Sequence, residues 1–196
     1  MKAPDIVETA LSVTRILESL GIDHYIGGSL ASSAFGLARS TMDIDIAADI
    51  KPELAPILEE KFQAQFYVDR EAIERAIRDK SSFNLIHLET MFKIDIFVVS
   101  DEPYDRQAMG RRLRRSLSEE GVHQADFSSP EDIILRKLLW FRSGGKTSNR
   151  QWEDVLGVIK VQGEDLDAGY LEPWAERLGV FELLQKALAE GGRQAK

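Results

Sequence analysis

Hydrophobic residues in the first fifty positions of the chain alternate between helical and strand-like spacing. Apolar side chains recur every three or four residues over positions 6–20, and Gly21 follows them where a helix would end. An apolar strand over residues 22–26 runs into a pair of glycines. A short helix then leads to residues 42–46, which alternate apolar and acidic. The pattern therefore predicts the order helix, strand, glycine turn, helix, strand.

The same two spacings continue through the middle of the chain. We expect helices over residues 51–61 and 70–78 and a short strand over residues 65–68. A β-hairpin pattern follows, with residues 82–89 and 92–99 as its two arms. Elements in this order fit a small mixed β-sheet with helices packed against it.

The last third of the chain is predicted to be helical. Ser129 and Pro130 form a helix start, since serine is a favoured N-cap and proline is tolerated in a first turn. Three further amphipathic stretches follow, at residues 151–162, 166–178 and 180–188. We therefore expect an α+β fold, with a first domain over residues 1–128 that contains the sheet and a C-terminal helical unit over residues 129–196.

The composition is that of an ordinary globular protein. Of the 196 residues, 43% are hydrophobic and 30% are charged, which is enough apolar material for one substantial core. A net charge of −8 argues against general coating of nucleic acid, since non-specific phosphate binding needs a basic surface. The chain has no cysteine, no secretory leader pattern and no apolar run near the ~20 residues that span a bilayer. We therefore expect a cytoplasmic protein without a membrane partner.

Two aspartates alternate with apolar residues in the strand predicted at residues 42–46. Asp43 and Asp45 share one face of that strand, about 7 Å apart along it. Asp95 interrupts a later apolar strand, where a carboxylate is costly to bury without a partner. Unrelated surface acids are the alternative, but the apolar surroundings of Asp95 favour one metal site shared by all three. Mg²⁺ is the natural candidate, because it prefers oxygen ligands of this kind.

The glycine turn before these acids is suited to an anion. Gly27 and Gly28 allow backbone N–H groups to approach a ligand closely, and Ser29 can cap the helix that follows. The positive end of that helix favours a phosphate group. The turn can also serve only to end a strand and begin a helix, and the same geometry serves both purposes.

This order of residues resembles the signature of the nucleotidyltransferase superfamily, which has a polymerase-β-like fold. A Gly-Ser pair at residues 28–29 is followed after thirteen residues by the Asp-x-Asp motif, and Asp95 matches a third carboxylate on a later strand. The resemblance implies that the first domain is a nucleotidyltransferase catalytic domain, which transfers a nucleoside monophosphate from an NTP to a hydroxyl group with loss of pyrophosphate. It also implies that Asp43 and Asp45 hold two Mg²⁺ ions and that Asp95 shares the ion nearest the nucleophile.

The helical unit carries a second resemblance. The Ser-Pro-Glu-Asp start at residues 129–132, with Lys137 on the same helix and Asp154 after it, resembles the pattern of the AbiE-type (AbiEii) nucleotidyltransferase toxins. The resemblance implies nucleotide-binding roles for Lys137 and Asp154, with Lys137 offsetting charge on the leaving group. Lys137 can instead simply extend from an apolar helix face to solvent. The family also implies an RNA acceptor, such as the 3′ end of a tRNA, and a cognate antitoxin protein.

Arginines supply the remaining candidates for phosphate contacts. Arg39 comes just before the acidic strand and is either an ordinary surface residue or a contact to a nucleotide phosphate. Arg111 and Arg112 belong to a run of five arginines between residues 106 and 115. That run is either a solvated face or a contact to a triphosphate or to the backbone of an RNA acceptor.

The expected activity is therefore that of a Mg²⁺-dependent nucleotidyltransferase that binds the NTP phosphates at Gly27, Gly28 and Ser29. The acceptor is left open. RNA is implied by the toxin family, whereas an aminoglycoside-like small molecule or a protein hydroxyl is also possible, and the acidic chain suits a cationic acceptor. A nucleotide-binding or partner-binding module without catalysis is the alternative from a different class.

Overall fold

The structure, a computed structural model, describes residues 5–116, 124–145 and 147–192 of the chain. Residues 117–123, where the sequence predicts no more than a turn or a short strand, lie outside these ranges. The described residues group into two units. The first contains those of Met1–Gly27 and Thr41–Phe127, and the second contains those of Gly28–Ser40 and Ser128–Lys196.

Within the described residues, seven strands form one mixed sheet, and all of them belong to the first unit. They are β1 (His24–Ile26), β2 (Asp43–Ala48), β3 (Phe66–Tyr67), β4 (Ser82–His87), β5 (Lys93–Val98), β6 (Leu113–Ser116) and β7 (Gln124–Phe127). Their order across the sheet is β3-β4-β5-β2-β1-β7-β6. β2 pairs in parallel with β5, and β1 with β7, whereas the other neighbours are antiparallel.

Alternation along the central strands buries one face of this sheet. Ile44 and Ile46 of β2 and Ile94 and Ile96 of β5 have no solvent-exposed surface. Successive side chains of a strand point to opposite faces, so the residues between these isoleucines share the other face. The alternation read from the sequence is therefore the one that the sheet uses.

The helices of the first unit begin at local signals. They are α1 (Ile6–Ser19), α3 (Ala55–Phe62), α4 (Arg70–Asp79) and α5 (Pro103–Gly110), numbered in chain order. Asp5 caps α1 and Asp69 caps α4, each accepting a backbone N–H at 2.9 Å. The sequence pattern does not predict α5, because charged residues mask its helical period. Pro103 in its first turn is the signal that marks its start.

The second unit is helical in its described part, as predicted for the C-terminal residues. Its helices are α2 (Gly28–Phe35), α6 (Pro130–Ser143), α7 (Asn149–Gln162), α8 (Ala168–Arg177) and α9 (Phe181–Glu190). Ser129 caps α6 by accepting the N–H of Asp132 at 3.2 Å, as its position predicts. Within the described residues, none of the helices of either unit is both long and apolar enough to cross a lipid bilayer.

Helix α2 packs with the C-terminal helices, and this grouping is not visible in the sequence. Glycines allow the close approach: a Cβ on Gly36 would lie 2.8 Å from the backbone nitrogen of Val158, and one on Gly157 would lie 3.3 Å from that of Leu37. Gln162 of α7 also donates from its side chain to the carbonyl of Phe35 at 2.6 Å. The grouping changes at Ser128, next to the predicted boundary, but it also assigns residues 28–40 to the second unit.

Candidate active site

The acidic face of the sheet brings two of the three predicted carboxylates directly opposite each other. The parallel register of β2 and β5 pairs Asp45 with Asp95, and it pairs Asp43 with Lys93. Asn84 of β4 is opposite Asp95 on the other side. Residues paired across strands share a face of the sheet, so we define the acidic face as Asp43, Asp45, Asn84, Lys93 and Asp95.

Asp95 is the residue of this face with the most contacts described. Lys93 places its Nζ 3.0 Å from one carboxylate oxygen of Asp95 and 2.9 Å from the other. Asn84 donates a hydrogen bond from its side-chain amide to the same carboxylate. The side chain of Asp95 is 18% exposed and that of Lys93 is 51% exposed. A cation and an amide therefore hold Asp95 in place at the partly open surface of the sheet.

The acidic face offers a pair of carboxylates to a magnesium ion, but not a complete set of protein ligands. Among the described residues, no group of three or more His, Cys, Asp or Glu side chains converges closely enough to hold a metal ion. Mg²⁺ is usually bound through one or two carboxylates, with water and substrate phosphates as its other ligands. Asp45 opposite Asp95 provides such a pair, and Asp43 lies two residues along on the same face. The coordination of two Mg²⁺ ions by Asp43, Asp45 and Asp95 stays a prediction.

The glycine turn differs in detail from the sequence prediction. The N–H of Gly27 is already used, because it donates to the carbonyl of Asp45 at 2.8 Å. Gly28 has a φ of +54°, in the left-handed region that glycine adopts without strain. Helix α2 begins at Gly28, so Ser29 lies in its first turn and is not its cap. The backbone donors open to a ligand therefore start after Gly27.

Three charged residues of the helical unit, Arg39, Lys137 and Asp154, contact one another or the polar residues Ser29 and Gln151. We call these five residues the charged cluster. Arg39 contacts both carboxylate oxygens of Asp154, through Nε at 2.7 Å and a terminal nitrogen at 2.9 Å. Lys137 donates to Asp154 at 2.6 Å and to Gln151 at 3.0 Å. The guanidinium of Arg39 also donates to the hydroxyl of Ser29 at 2.5 Å.

Burial distinguishes the members of the charged cluster. The side chains of Lys137 and Asp154 are 3% and 4% exposed, whereas that of Arg39 is 27% exposed. Burial raises the pKa of Asp154, but the hydrogen bonds and charges of Arg39 and Lys137 outweigh it, so the pKa lies below its ordinary value. Asp154 is therefore held as an anion by two cations.

Four of the predicted nucleotide-binding residues thus lie together in the charged cluster: Ser29, Arg39, Lys137 and Asp154. The contacts of Lys137 differ from those that the sequence predicts. The sequence does not pair Arg39 with Asp154, because these residues are 115 positions apart. It also overlooks Gln151, which has no distinguishing pattern, and Asn84, whose place in the alternating hairpin strand is a signal for the acidic face. Lys137 is directed at Asp154 and Gln151, and its side chain is only 3% exposed, so its ammonium group is not open to a phosphate in solvent.

The arginine run of the first unit is largely matched by acids. Arg112 contacts Asp23 at 2.7 Å and Asp126 at 3.3 Å, and it donates to the carbonyl of Met109. Arg114 contacts Glu18 at 2.9 Å. Arg111 forms the C-cap of α5. Ion pairing with carboxylates offsets the positive charge of these guanidinium groups, which makes them weaker candidates for binding an RNA backbone.

The fold is shared with solved structures of nucleotidyltransferase-like proteins. A crystal structure of an antigenic nucleotidyltransferase-like protein from Paracoccidioides brasiliensis matches with a TM-score of 0.61 at 21% identity, over 93% of this chain and 90% of that one. A solution structure of the antibiotic-resistance factor ANT(2'')-Ia matches with a TM-score of 0.53 at 14% identity, over 92% of this chain and 99% of that one.

A crystal structure of ANT(2'')-Ia in complex with adenylyl-2''-tobramycin gives a TM-score of 0.51 at 15% identity, over 93% of this chain and 98% of that one. No protein-family model matches the sequence, and no curated protein matches it significantly. These similarities confirm the predicted mixed α and β architecture of the nucleotidyltransferase type. The resemblance to AbiE-type toxins stays a prediction.

Proposed function

We propose that the protein transfers a nucleoside monophosphate from an NTP to a hydroxyl group. The observation that carries this proposal is the parallel register of β2 and β5, which pairs Asp45 with Asp95 and leaves Asp43 on the same face. Carboxylates paired in this way repel each other, and a bound cation offsets that repulsion. A fold shared with nucleotidyltransferase-like proteins is consistent with this chemistry.

In the proposed reaction, the oxygen of the acceptor hydroxyl forms a bond to the α-phosphorus of the NTP. The bond from that phosphorus to the oxygen bridging it to the β-phosphate breaks, and pyrophosphate leaves with the bonding pair. The hydroxyl proton passes to a carboxylate, for which we propose Asp95. Magnesium, held by Asp43, Asp45 and Asp95, would supply positive charge to the attacking and leaving oxygens.

Binding of the NTP phosphates is the role we propose for Gly28, Ser29 and Arg39. The first turn of α2 offers backbone N–H groups that lack partners within the helix, and its positive end favours an anion. Arg39 offers a partly exposed guanidinium. Lys137 and Asp154 contribute to nucleotide binding indirectly, because their side chains are buried.

A cationic small molecule with a free hydroxyl is the acceptor that the observations favour. The chain has a net charge of −8, which attracts cations, and Arg112 and Arg114 are each ion-paired with acids, which weakens their attraction for RNA phosphates. The complex of ANT(2'')-Ia with adenylyl-2''-tobramycin concerns an acceptor of this class. RNA, as the toxin resemblance implies, is the second candidate.

The test is incubation of the protein with each α-labelled NTP and Mg²⁺, in separate reactions with tobramycin, with total cellular RNA and with no acceptor. Asp45→Asn and Asp95→Asn are the test variants, because the amide keeps the size of the side chain and removes its charge. Asp79→Asn is the matched control, since Asp79 is an exposed carboxylate at the end of α4. We expect transfer by the wild type and the control, and a loss of about 10³-fold or more in the test variants, as for groups that hold catalytic charge.

Each outcome points to one conclusion. Label on tobramycin establishes the small-molecule acceptor, and label on RNA that weakens steeply with salt establishes the RNA acceptor. Transfer that survives in Asp45→Asn or Asp95→Asn rules out the acidic face as the catalytic site. Binding of an NTP in Mg²⁺ without any transfer would favour a nucleotide-binding module.

A further inference from the structure

Asp154 is the centre of the charged cluster, and its geometry is more specific than charge neutralisation requires. Both of its oxygens accept from Arg39, and one of them also accepts from Lys137. A bidentate contact fixes the plane of a guanidinium as well as its distance, which a single ammonium contact cannot do. Asp154 therefore sets the orientation of Arg39.

The orientation of Arg39 in turn determines what the first turn of α2 can present. The guanidinium donates to the hydroxyl oxygen of Ser29, and the backbone N–H of Arg39 donates to the hydroxyl of Ser33 at 3.3 Å. A serine hydroxyl has one hydrogen to donate. Because Arg39 supplies the hydrogen of its bond to Ser29, the hydroxyl hydrogen of Ser29 is not used in that bond.

Lys137 makes this arrangement possible without contacting a ligand. An unpaired buried aspartate would be strongly unfavourable, but Asp154 has two cationic partners. Both cations contact the single carboxylate of Asp154. Arg39 is the most exposed charged member of the cluster, with 27% of its side chain open to solvent.

Helix α7 makes further contacts with the C-terminal part of residues 28–40. α7 carries Asp154, and it also carries Gly157, which allows the close backbone approach of Leu37, and Gln162, which binds the carbonyl of Phe35. Residues 35–39 are thus held by α7 at several points. The first turn of α2 is linked to α7 through the contact of Arg39 with Ser29.

We propose that Asp154 is a positioning residue, which acts through Arg39 to orient Ser29 and the first turn of α2 for nucleotide phosphates, and that neither Asp154 nor Lys137 touches the nucleotide. This inference rests on the proposed function, because it assigns a role within nucleotide binding. It differs from the sequence interpretation, in which Lys137 contacts the leaving group directly.

The experiment compares Asp154→Asn with Asp132→Asn. Asp132 is a matched control, since it is also a buried aspartate of the helical unit, bonded to Tyr170 at 2.7 Å and to Ser129 at 2.8 Å but not part of the charged cluster. Binding of each of the four NTPs in Mg²⁺ is measured by titration calorimetry, and KM and kcat are measured wherever transfer is found. We expect Asp154→Asn to raise KM for the NTP about tenfold, as one charge-assisted hydrogen bond would, with a smaller change in kcat. Asp132→Asn should leave KM unchanged at a comparable loss of stability.

A double-mutant cycle with Arg39→Lys tests whether Asp154 acts through Arg39. If it does, the double variant loses little more affinity than the worse single variant, because the two changes remove the same interaction. Losses that multiply overturn the proposal, as does an equal effect of Asp132→Asn on KM. A loss of kcat with KM unchanged in Lys137→Met would also overturn it, because that is the signature of a contact made only in the transition state.

Failure of the proposed function is distinguishable from failure of this inference. If the wild type binds no NTP, the proposed function fails, and hydrogen exchange of residues 28–40 then decides the positioning role. Exchange in this segment should be faster in Asp154→Asn than in Asp132→Asn at equal global stability. Equal exchange rates in the two variants overturn the inference.

Discussion

The acidic face and the charged cluster contain the same kinds of side chain, but the two arrangements suit different roles. On the acidic face, three aspartates share one side of two neighbouring strands and are partly open to solvent, and Lys93 contacts Asp95. In the charged cluster, one aspartate is buried between two cations. The first arrangement places three carboxylates on one face that is partly open to solvent, which suits the binding of a metal ion. The second is already compensated, which suits the maintenance of a fixed geometry.

The sharpest test of this contrast is the removal of one carboxylate from each site. Asp154→Leu should lower the free energy of unfolding by about 3–5 kcal/mol, because it leaves a buried Lys137 without its anion. Asp45→Leu should lower it by about 1 kcal/mol or less, since Asp45 is only half-buried and lies beside the like charge of Asp95. Urea denaturation of the metal-free protein measures both.

A compensating variant serves as the control for that prediction. Asp154→Leu combined with Lys137→Met removes the uncompensated charge and should recover part of the lost stability. Equal losses for Asp154→Leu and Asp45→Leu would show that the two sites do not differ in the way their burial indicates.

Acid should distinguish the charged cluster through the lowered pKa of Asp154. A carboxylate whose pKa is lower in the folded protein than in the unfolded chain stabilises the fold above its ordinary pKa of about 3.9. That contribution is lost as the pH falls through the folded value. The stability difference between the wild type and Asp154→Asn should therefore be constant near neutral pH and shrink below about pH 4. Denaturation at a series of pH values measures it, and a difference that grows on acidification would contradict the prediction.

The smallest effect is expected for the lysine of the acidic face. Lys93→Met should tighten binding of Mn²⁺, used as a probe for Mg²⁺, about thirtyfold, since a unit charge about 4 Å from a divalent ion in water contributes about 2 kcal/mol of repulsion. Titration calorimetry of the NTP-free protein measures it, with the exposed Lys51→Met as a control. Weaker binding in Lys93→Met would mean that the lysine supports the metal and does not compete with it.

Local features of the fold are the ones that the sequence predicts well. The alternation around Ile44 and Ile94 gives the strands and their faces, and Ser129 gives the start of α6, because these signals come from neighbouring residues. Helix α5 is not predicted, because its charged residues hide the helical spacing of its apolar side chains.

Contacts between residues that are distant in the sequence are the features that the sequence does not predict. Asp45 opposite Asp95 depends on which strands become neighbours, and Arg39 with Asp154 depends on the packing of α2 against α7. Lys137 shows a related limit. The sequence marks it as unusual in an apolar helix, but only the structure shows that its ammonium group is committed to Asp154 and Gln151.

The grouping of residues 28–40 with α7 has a consequence during synthesis of the chain on the ribosome. Arg39 is made 115 residues before Asp154. At the usual translation rate of roughly 5–20 residues per second, Asp154 is added on the order of 6–23 s after Arg39. Ala31 and Phe35, which are buried in the finished protein, stay uncovered by α7 during that interval. The residues of the acidic face, in contrast, are all translated once Asp95 has been added.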